Sequence, residues 1–426
     1  MDVRVRGLLS ALILALAAAT ASVHAEALAP ARPEDVGLSS TRLQLLADTM
    51  QRWVDAHETP GATVLIARGG RLVFSHTVGM RDTATGDPLR PDAIFRLYSM
   101  TKPVVSVAAM TLVEDGRLAL NEPISKYLPE FKDMKVAIET FDPVSGAQIF
   151  TTAPAKRPIT VHDLLRHTSG LTYGEPLSQR TQVQKLYKEA GIWSQKWVLA
   201  DFTRALAKVP LSFEPGTQWE YGHSTDVLGR VVEVASGKTL DRYVAERILQ
   251  PLGMVDTGFQ LPPAKAGRLA QPQPDPVTKV TPDLIDFTQP QTFLAGGHGM
   301  VGTAADYLRF AQMLLDGGTL DGRRILGPRT VGFMASNHVH VGVSTATGFL
   351  PGPGYGFGLG FAVRTSAGMS DWNGSVGDFY WGGYAGTYFW IDPKEQLAVV
   401  FMTTEPTRRA WYRMAVRDAV YQAIVK

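Results

Sequence analysis

"FRLYSMTKPVVSVAAMTLVEDG", residues 95–116, places a serine and a lysine three residues apart at the start of an apolar run. Pro103 has no backbone N–H and is tolerated in the first turn of a helix, so this stretch predicts a helix that begins at Ser99 or Met100. Residues three apart lie on one face of a helix. The amine of Lys102 is therefore predicted to reach the hydroxyl of Ser99.

This pairing matters because a serine hydroxyl is a weak nucleophile until a base takes its proton. An ammonium cannot accept a proton, so the lysine would have to be held as a free amine. The apolar residues that follow predict a buried helix, and burial and the positive helix N-terminus both disfavour the ammonium. S-x-x-K occurs once in this chain and is a nucleophile motif of β-lactamases and penicillin-binding proteins. Ser99 is the candidate nucleophile and Lys102 the candidate base.

Length and composition narrow the class of protein. The chain has 426 residues, 45% of them hydrophobic, which is enough for two domains or for one large domain with an insertion. Lys and Arg number 42 against 40 Asp and Glu, a net charge of +2 without a long basic block. Nucleic-acid binding is therefore not expected. We expect a small, near-neutral partner, while the sequence leaves the oligomeric state open.

The N-terminus, "MDVRVRGLLSALILALAAATASVHAE", has two arginines, an apolar run of roughly 15 residues and a small-x-small pattern at Val23 and Ala25. The run is shorter than the ~20 residues that span a bilayer. The chain has no cysteine, so it lacks a lipoprotein attachment site, a disulfide and a thiol nucleophile. We expect a signal peptide at residues 1–25, no stable membrane insertion after its cleavage, and a periplasmic or secreted mature protein.

The hydrophobic pattern predicts an α+β fold. Residues 61–79, "GATVLIARGGRLVFSHTVG", indicate a hairpin that turns at Gly69-Gly70, and the last third of the chain returns to strand patterns before a final helix. The middle is mostly helical. This order predicts an antiparallel sheet made by both ends of the chain and flanked by helices, with an inserted helical domain. The predicted ranges are 26–98 and 295–426 for the sheet domain and 99–294 for the helical domain, with a catalytic cleft between them.

Two local signals add detail to this arrangement. Thr303 and Asp306 have the spacing of a capping box at the start of a helix. The Pro-rich stretch at 272–283, "PQPDPVTKVTPD", predicts a long loop over one side of the cleft.

Two further motifs follow the serine and lysine. In "EPGTQWEYGHSTDVLG", residues 214–229, Tyr221 comes just before a helical pattern, and a buried phenol beside a lysine can carry protons. In "FYWGGYAGTYFW", residues 379–390, a glycine pair lies inside a strand, where a ligand or another backbone must approach closely.

With these motifs the chain resembles the serine β-lactamase-like superfamily, and within it the family VIII carboxylesterases, which look like class C β-lactamases. The resemblance extends over about residues 32–425 and implies the β-lactamase/transpeptidase-like fold. Its motifs, in chain order, are "RLYSMTKP", "HDLLRHTSGLTYG", "EPGTQWEYG", "PLGMVDTGF", "GGHGMVGTAADYLRF" and "YWGGYAGTYFWIDP".

The resemblance implies a role for each matching residue. The family's nucleophile, lysine and tyrosine fall on Ser99, Lys102 and Tyr221. The oxyanion hole would be formed by the backbone N–H groups of Ser99 and Tyr384. Such a reaction needs no cofactor.

Two departures from the lactamase pattern bear on the substrate. Where class C β-lactamases have Tyr-x-Asn, this chain has Tyr221-Gly222-His223, and where they have Lys-Thr-Gly it has Trp381-Gly382-Gly383. The lactamase lysine helps to hold the carboxylate of a β-lactam, whereas tryptophan offers an apolar wall suited to an uncharged ester. Predicted substrate-binding residues are Trp381, Gly382, Gly383 and His223.

These observations predict a serine carboxylesterase that acts through an acyl-enzyme on Ser99. The resemblance implies short-chain esters as substrates, while the sequence itself leaves the acyl chain length open. The alternatives are a β-lactamase or a D-amino-acid peptidase or DD-carboxypeptidase with the same machinery, or a non-catalytic cell-wall-binding homologue. The sequence leaves open whether Lys102 or Tyr221 is the deprotonated base, because a coupled pair titrates jointly. It also leaves open the natural substrate and the enantioselectivity.

Other chemistries find little support. His167 follows a short helix in "RHTSGL", which indicates a structural turn rather than a catalytic histidine. The G-x-S-x-G motif of α/β-hydrolases does not occur. Neither His162 nor His298 has a partner at H-E-x-x-H spacing, so no metal site is expected.

Overall fold

The computed structural model describes residues 28–174, 181–345 and 348–426. The α-helices of these residues are α1 (Ser40–Asp55), α2 (Thr101–Glu114), α3 (Val161–Leu165), α4 (Gln182–Glu189), α5 (Leu199–Leu206), α6 (Ser224–Ser236), α7 (Leu240–Val244), α8 (Ala304–Leu315), α9 (Pro328–Met334) and α10 (Arg409–Tyr421). The strands are β1 (Gly61–Arg68), β2 (Arg71–Asp82), β3 (Asp87–Pro88), β4 (Phe95–Arg96), β5 (Lys135–Phe141), β6 (Gln148–Pro154), β7 (Val301–Gly302), β8 (Thr319–Leu320), β9 (Arg323–Arg324), β10 (Tyr355–Phe357), β11 (Ala362–Arg364), β12 (Phe379–Gly382), β13 (Tyr388–Asp392) and β14 (Leu397–Thr403).

The predicted signal peptide, residues 1–25, lies outside the described residues. Within the described ranges, no helix combines the length and the hydrophobicity needed to cross a bilayer.

An eight-stranded antiparallel sheet organises the molecule and takes strands from both ends of the chain. Its order is β10-β11-β12-β13-β14-β1-β2-β3, so the last strand in the sequence pairs with the first. Both β1 and β14 are buried along their whole length, which requires cover on both faces of the sheet. α8 packs against β1, β13 and β14, while α1 packs against β2 and α10. The predicted α+β class is confirmed.

The predicted hairpin is also confirmed, and its turn explains the two glycines. β1 and β2 pair out to Arg68 and Arg71, leaving Gly69 and Gly70 as the turn. Their φ angles are +59° and +72°. Two successive residues with positive φ form the turn that matches the twist of paired strands, and glycine adopts this conformation without steric penalty.

The middle of the chain packs around α2. This helix contacts α6 and α7, and α6 also packs against α3 and α5. The side chains of α2 are buried from Thr101 to Leu112, which accounts for the apolar run in its sequence. β4 pairs with β7, so the chain entering the middle region lies beside the chain leaving it. The predicted boundaries at 26–98, 99–294 and 295–426 stay a prediction.

The start of α2 differs from the prediction. The α-helix begins at Thr101, and Tyr98–Met100 form a 3-10 turn ahead of it. Tyr98 has a φ of +45°, far from the α-helical value of about −60°, so the α-helix does not extend back through this turn. Ser99 therefore lies on the turn that leads into the helix and not in its first α-helical turn.

The capping box at α8 forms only in part. Thr303 accepts a hydrogen bond from the N–H of Asp306 at 3.1 Å, as predicted. The carboxylate of Asp306 instead accepts from the N–H of Asp256 at 2.8 Å and the hydroxyl of Thr257 at 2.9 Å. A tertiary contact thus replaces the local bond, and burial raises the pKa of this carboxyl to about 6.

Candidate active site

The candidate nucleophile lies on a strained turn between β4 and α2. Ser99 is half-buried and follows Tyr98, whose φ of +45° is in the left-handed region. The Tyr98 hydroxyl accepts a hydrogen bond from the N–H of Ile285 at 3.0 Å, just beyond the Pro-rich loop. The ring of Tyr98 packs edge-on against Tyr384, with centroids 5.6 Å apart. These contacts hold a backbone conformation that costs about 1–3 kcal/mol.

Lys102 is the centre of the site's hydrogen-bond network. Its side chain is fully buried on α2. Its Nζ lies 3.3 Å from Ser99 Oγ, 3.0 Å from the hydroxyl of Tyr173 and 2.8 Å from the carbonyl oxygen of Gly297. The predicted approach of the lysine amine to the serine hydroxyl is therefore present in the fold.

These three contacts determine how the amine could act as a base. A neutral amine has two N–H donors and one lone pair. The carbonyl of Gly297 can only accept a hydrogen bond, so one N–H points to it. If the other N–H points to Tyr173, the lone pair faces Ser99, whose hydroxyl can donate into it. The arrangement can remove the serine proton without moving a residue.

Tyr173 is a member of the site that the sequence reasoning missed. It lies in the loop after α3, within the motif "HTSGLTYG", and is almost fully buried. Burial raises the pKa of its phenol well above the ordinary value, so the hydroxyl stays protonated. The position of this tyrosine inside a motif already associated with the fold was the available signal.

Tyr221 lies beside the lysine but contacts it through its ring. Lys102 Nζ is 4.6 Å from the ring centroid of Tyr221. The hydroxyl of Tyr221 accepts a hydrogen bond from Trp381 Nε1 at 3.0 Å. Among the described residues, no hydrogen bond joins this hydroxyl to Ser99 or Lys102. The fold brings the three predicted catalytic side chains together, and their catalytic roles stay a prediction.

Trp381 has a polar contact as well as the apolar surface expected of it. It lies on β12 and is buried, with ring centroids 5.3 Å from both Tyr221 and Phe357. Its indole N–H orients the phenol of Tyr221. The sequence suggested only the apolar wall, because nothing in the local pattern joins residues 160 positions apart.

The glycine pair brings the end of β12 against the nucleophile turn. A Cβ on Gly383 would lie 2.3 Å from the carbonyl oxygen of Leu97, so a larger residue would displace the strand from the turn. The next residue, Tyr384, is 41% exposed, and its N–H donates to no acceptor among the described residues. Its proposed use as an oxyanion donor stays a prediction, as does substrate contact by Gly382 and Gly383.

His223 is buried in the helical region, immediately before α6. Its Nδ1 lies 2.9 Å from Asp226 Oδ2, and its ring packs edge-on against Tyr173 at 4.7 Å. It therefore reaches the site through Tyr173, and direct contact with substrate stays a prediction.

His167, predicted as part of a turn, has a φ of +57° and packs behind Tyr221, with ring centroids 4.9 Å apart. Burial is the main reason that the pKa of this histidine lies well below its ordinary value, and the nearby Lys102 lowers it further. A neutral ring in this position fills space behind the tyrosine. Across residues 28–174, 181–345 and 348–426, no group of three or more potential ligands is placed to share a metal ion.

Comparisons with known proteins bear on the family of this chain. A family model described as Beta-lactamase matches residues 46–422. Protein Rv1367c of Mycobacterium tuberculosis is 37% identical over 292 residues, which cover 67% of this chain and 69% of that protein. Esterase EstB of Burkholderia gladioli is 35% identical over 271 residues, which cover 58% of this chain and 64% of the esterase.

Among solved structures, a similar one is described as EstCE1, a hydrolase with promiscuous acyltransferase activity. It has a TM-score of 0.75 at 29% identity and covers 89% of this chain and 99% of its own. The predicted resemblance to the family VIII carboxylesterases is confirmed by these similarities. The chain belongs to the Beta-lactamase family and is a serine hydrolase.

Proposed function

We propose that this protein is a carboxylesterase that hydrolyses short-chain esters through an acyl-enzyme on Ser99. The observation that carries the proposal is the buried amine of Lys102, 3.3 Å from Ser99 Oγ and fixed by two further hydrogen bonds. The similarity to Esterase EstB, at 35% identity, supports an ester as substrate. No metal or cofactor takes part in the proposed reaction.

Acylation would begin with attack of Ser99 Oγ on the ester carbonyl while the serine proton passes to Lys102. The resulting oxyanion would be held by the N–H groups of Ser99 and Tyr384. Preorganised donors of this kind are worth about 10²-fold each in rate. The closeness of Gly383 to Leu97 supports this placement, because it keeps the strand end beside the nucleophile turn.

Breakdown of this intermediate requires a proton for the leaving alcohol. We assign this transfer to Lys102, which then carries the serine proton, and to Tyr221, whose ring centroid is 4.6 Å from the amine. The Tyr221 hydroxyl accepts from Trp381 Nε1, so its own proton is available to the leaving oxygen. Water activated by the same pair then releases the acid. An alcohol in place of water would receive the acyl group instead; EstCE1 is described as a hydrolase with promiscuous acyltransferase activity.

The residue at position 381 favours an ester over a β-lactam. Class C β-lactamases have a lysine here whose ammonium helps to hold the substrate carboxylate. Trp381 has no charge, and its indole N–H is engaged with Tyr221. A β-lactam carboxylate would therefore find no cation at position 381 to offset its lost solvation, whereas an uncharged ester has no such requirement.

The experiment that tests the proposal is steady-state hydrolysis of p-nitrophenyl butyrate beside nitrocefin and a D-Ala-D-Ala peptide, at one pH. We expect kcat/KM for the ester to exceed that for nitrocefin by about 10²-fold or more, because the carboxylate of nitrocefin finds a tryptophan in place of the lysine at position 381. Dominant turnover of nitrocefin would indicate a β-lactamase, and dominant turnover of the peptide would indicate a peptidase. Either result would contradict the proposal.

The role of the indole N–H can be tested separately with Trp381→Phe. This change keeps an aromatic wall but removes the donor to Tyr221, so we expect kcat for the ester to fall about tenfold, the value of one hydrogen bond. The matched control is Trp390→Phe. Trp390 is fully buried on the neighbouring strand, and its Nε1 has no partner among the described residues. Equal kcat values in the two variants would rule out a role for the Trp381 donor.

A further inference from the structure

Beneath Lys102 lies a buried carboxylate that the reaction described so far does not use. Asp226 is in the first turn of α6 and is fully buried. Its Oδ2 lies 2.9 Å from His223 Nδ1, and its Oδ1 lies 3.8 Å from His298 Nδ1. Within the described chain, neither a lysine nor an arginine forms an ion pair with it. A buried carboxylate without such a pair costs several kcal/mol, which calls for a reason.

The carboxylate is joined to the lysine through one residue, Gly297. The N–H of Gly297 donates to Asp226 Oδ1 at 2.7 Å, and its carbonyl accepts from Lys102 Nζ at 2.8 Å. A Cβ on Gly297 would lie 2.9 Å from Asp226 Oδ1, and one on Gly296 would lie 2.3 Å from the carbonyl oxygen of Thr225. The two glycines therefore let this backbone lie directly on the start of α6.

The protonation states around the carboxylate follow from its contacts. A carboxylate only accepts hydrogen bonds, so Nδ1 of His223 carries a proton. The Nε2 atoms of His223 and His298 are buried and have no partner in the described chain, so a proton there would be an unsatisfied donor. Burial alone would raise the pKa of the Asp226 carboxyl, but the hydrogen bond from His223 and the nearby His298 and Lys102 hold it at about 2. The aspartate is therefore ionised.

We propose that Asp226 is a positioning residue for Lys102, and this inference rests on the proposed esterase mechanism. By holding Gly297, it fixes the carbonyl that takes one N–H of the amine, which turns the lone pair of the amine toward Ser99. Its charge also stabilises the ammonium that forms when the serine proton arrives. The relation resembles that of the aspartate in a Ser-His-Asp triad, which orients its base and offsets the charge that the base acquires.

The test is Asp226→Asn, which keeps the size of the side chain but removes the charge. We expect kcat for p-nitrophenyl butyrate to fall about 10²-fold with KM within about threefold of the wild-type value. The pH at which activity rises should also move down by about 0.5–1 unit, because the ammonium loses a stabilising charge. Other titratable groups face Asp226 and stay unchanged in this variant. They are Lys102, His167, Tyr173, His223 and His298.

The matched control is Asp306→Asn. Asp306 is also a buried carboxyl in the first turn of a helix and accepts a backbone N–H, but its contacts are with Asp256 and Thr257. Its kcat and pH profile should match the wild type. An Asp226→Asn variant with unchanged kcat, or with reduced kcat and an unshifted pH profile, would overturn the inference.

Two additions keep the test decisive. If Asp226→Asn does not fold, as judged by thermal melting, His223→Phe keeps the ring and removes the donor to Asp226. We expect about a tenfold lower kcat from that variant, and a wild-type kcat would overturn the inference. A failure of the proposed function is recognised differently, because it appears as turnover that survives Ser99→Ala whatever the Asp226 variants do.

Discussion

Ser99→Ala is expected to lower kcat for p-nitrophenyl butyrate by at least about 10⁴-fold, because it removes the only atom proposed to form the acyl bond. The hydroxyl is half-buried and makes its side-chain hydrogen bond with Lys102, so the fold should tolerate its loss. Mass spectrometry after treatment with a fluorophosphonate should find the adduct on the peptide that contains Ser99. The variant should not form this adduct.

The chain offers a matched control for this change. Ser106 lies on the same helix, is buried, and has an Oγ without a partner among the described residues. Ser106→Ala should therefore keep wild-type kcat, and removing an unsatisfied buried hydroxyl should leave stability unchanged or raise it by about 1 kcal/mol. Ester turnover that survives in Ser99→Ala, or is lost in Ser106→Ala, would contradict the assignment of the nucleophile.

Lys102→Met is expected to lower kcat by about 10³-fold or more, because it removes the proposed base while keeping an unbranched side chain of similar length in a buried site. It leaves the carbonyl of Gly297 and the hydroxyl of Tyr173 without their donor. We therefore expect a loss of about 1–3 kcal/mol in the free energy of unfolding, measured by thermal or chemical denaturation. KM should change little, because no substrate contact is assigned to the amine.

A second variant of Lys102 tests whether this residue acts as a proton acceptor or only as a positive charge. Lys102→Arg places a permanent cation in the site, because a guanidinium is always protonated and cannot accept the serine proton. It should be as inactive as Lys102→Met. Substantial activity in Lys102→Arg would mean that the amine acts only as a positive charge, and the proton of Ser99 would then have to leave by another route.

Local patterns account for what could be predicted about the site. Ser99 and Lys102 are three residues apart, a spacing that brings side chains together in a helical turn, and the 3-10 turn before α2 keeps this approach. Tyr221 and Trp381 were identified from the order of motifs, which carries information about the whole fold. Tyr173 belongs to one of the same motifs, but no local rule gives a tyrosine in a loop a partner 71 residues away.

Some features of the fold could also be predicted from local sequence, whereas others depend on tertiary contacts. The turn at Gly69-Gly70 was predictable because positive φ angles favour glycine and the flanking strands have a clear hydrophobic pattern. The start of α2 was not predictable, because the positive φ of Tyr98 depends on its hydrogen bond to Ile285 and its packing against Tyr384. The capping box at α8 formed only in part for a similar reason, since the Asp306 carboxylate binds a loop remote in sequence.

The order of its motifs, through the family resemblance that they carry, was sufficient to assign this chain a fold class and a serine hydrolase activity. The spacing of Ser99 and Lys102 was sufficient to predict a nucleophile and a base, because residues three apart meet by local geometry. The residues that surround Lys102 could not be predicted from local sequence. Gly297 is 195 residues from Lys102, and Asp226 is 71 residues from Gly297. Such contacts depend on how helices and loops pack in three dimensions, so the partners that aim the amine and stabilise its charge could be identified only in the folded chain.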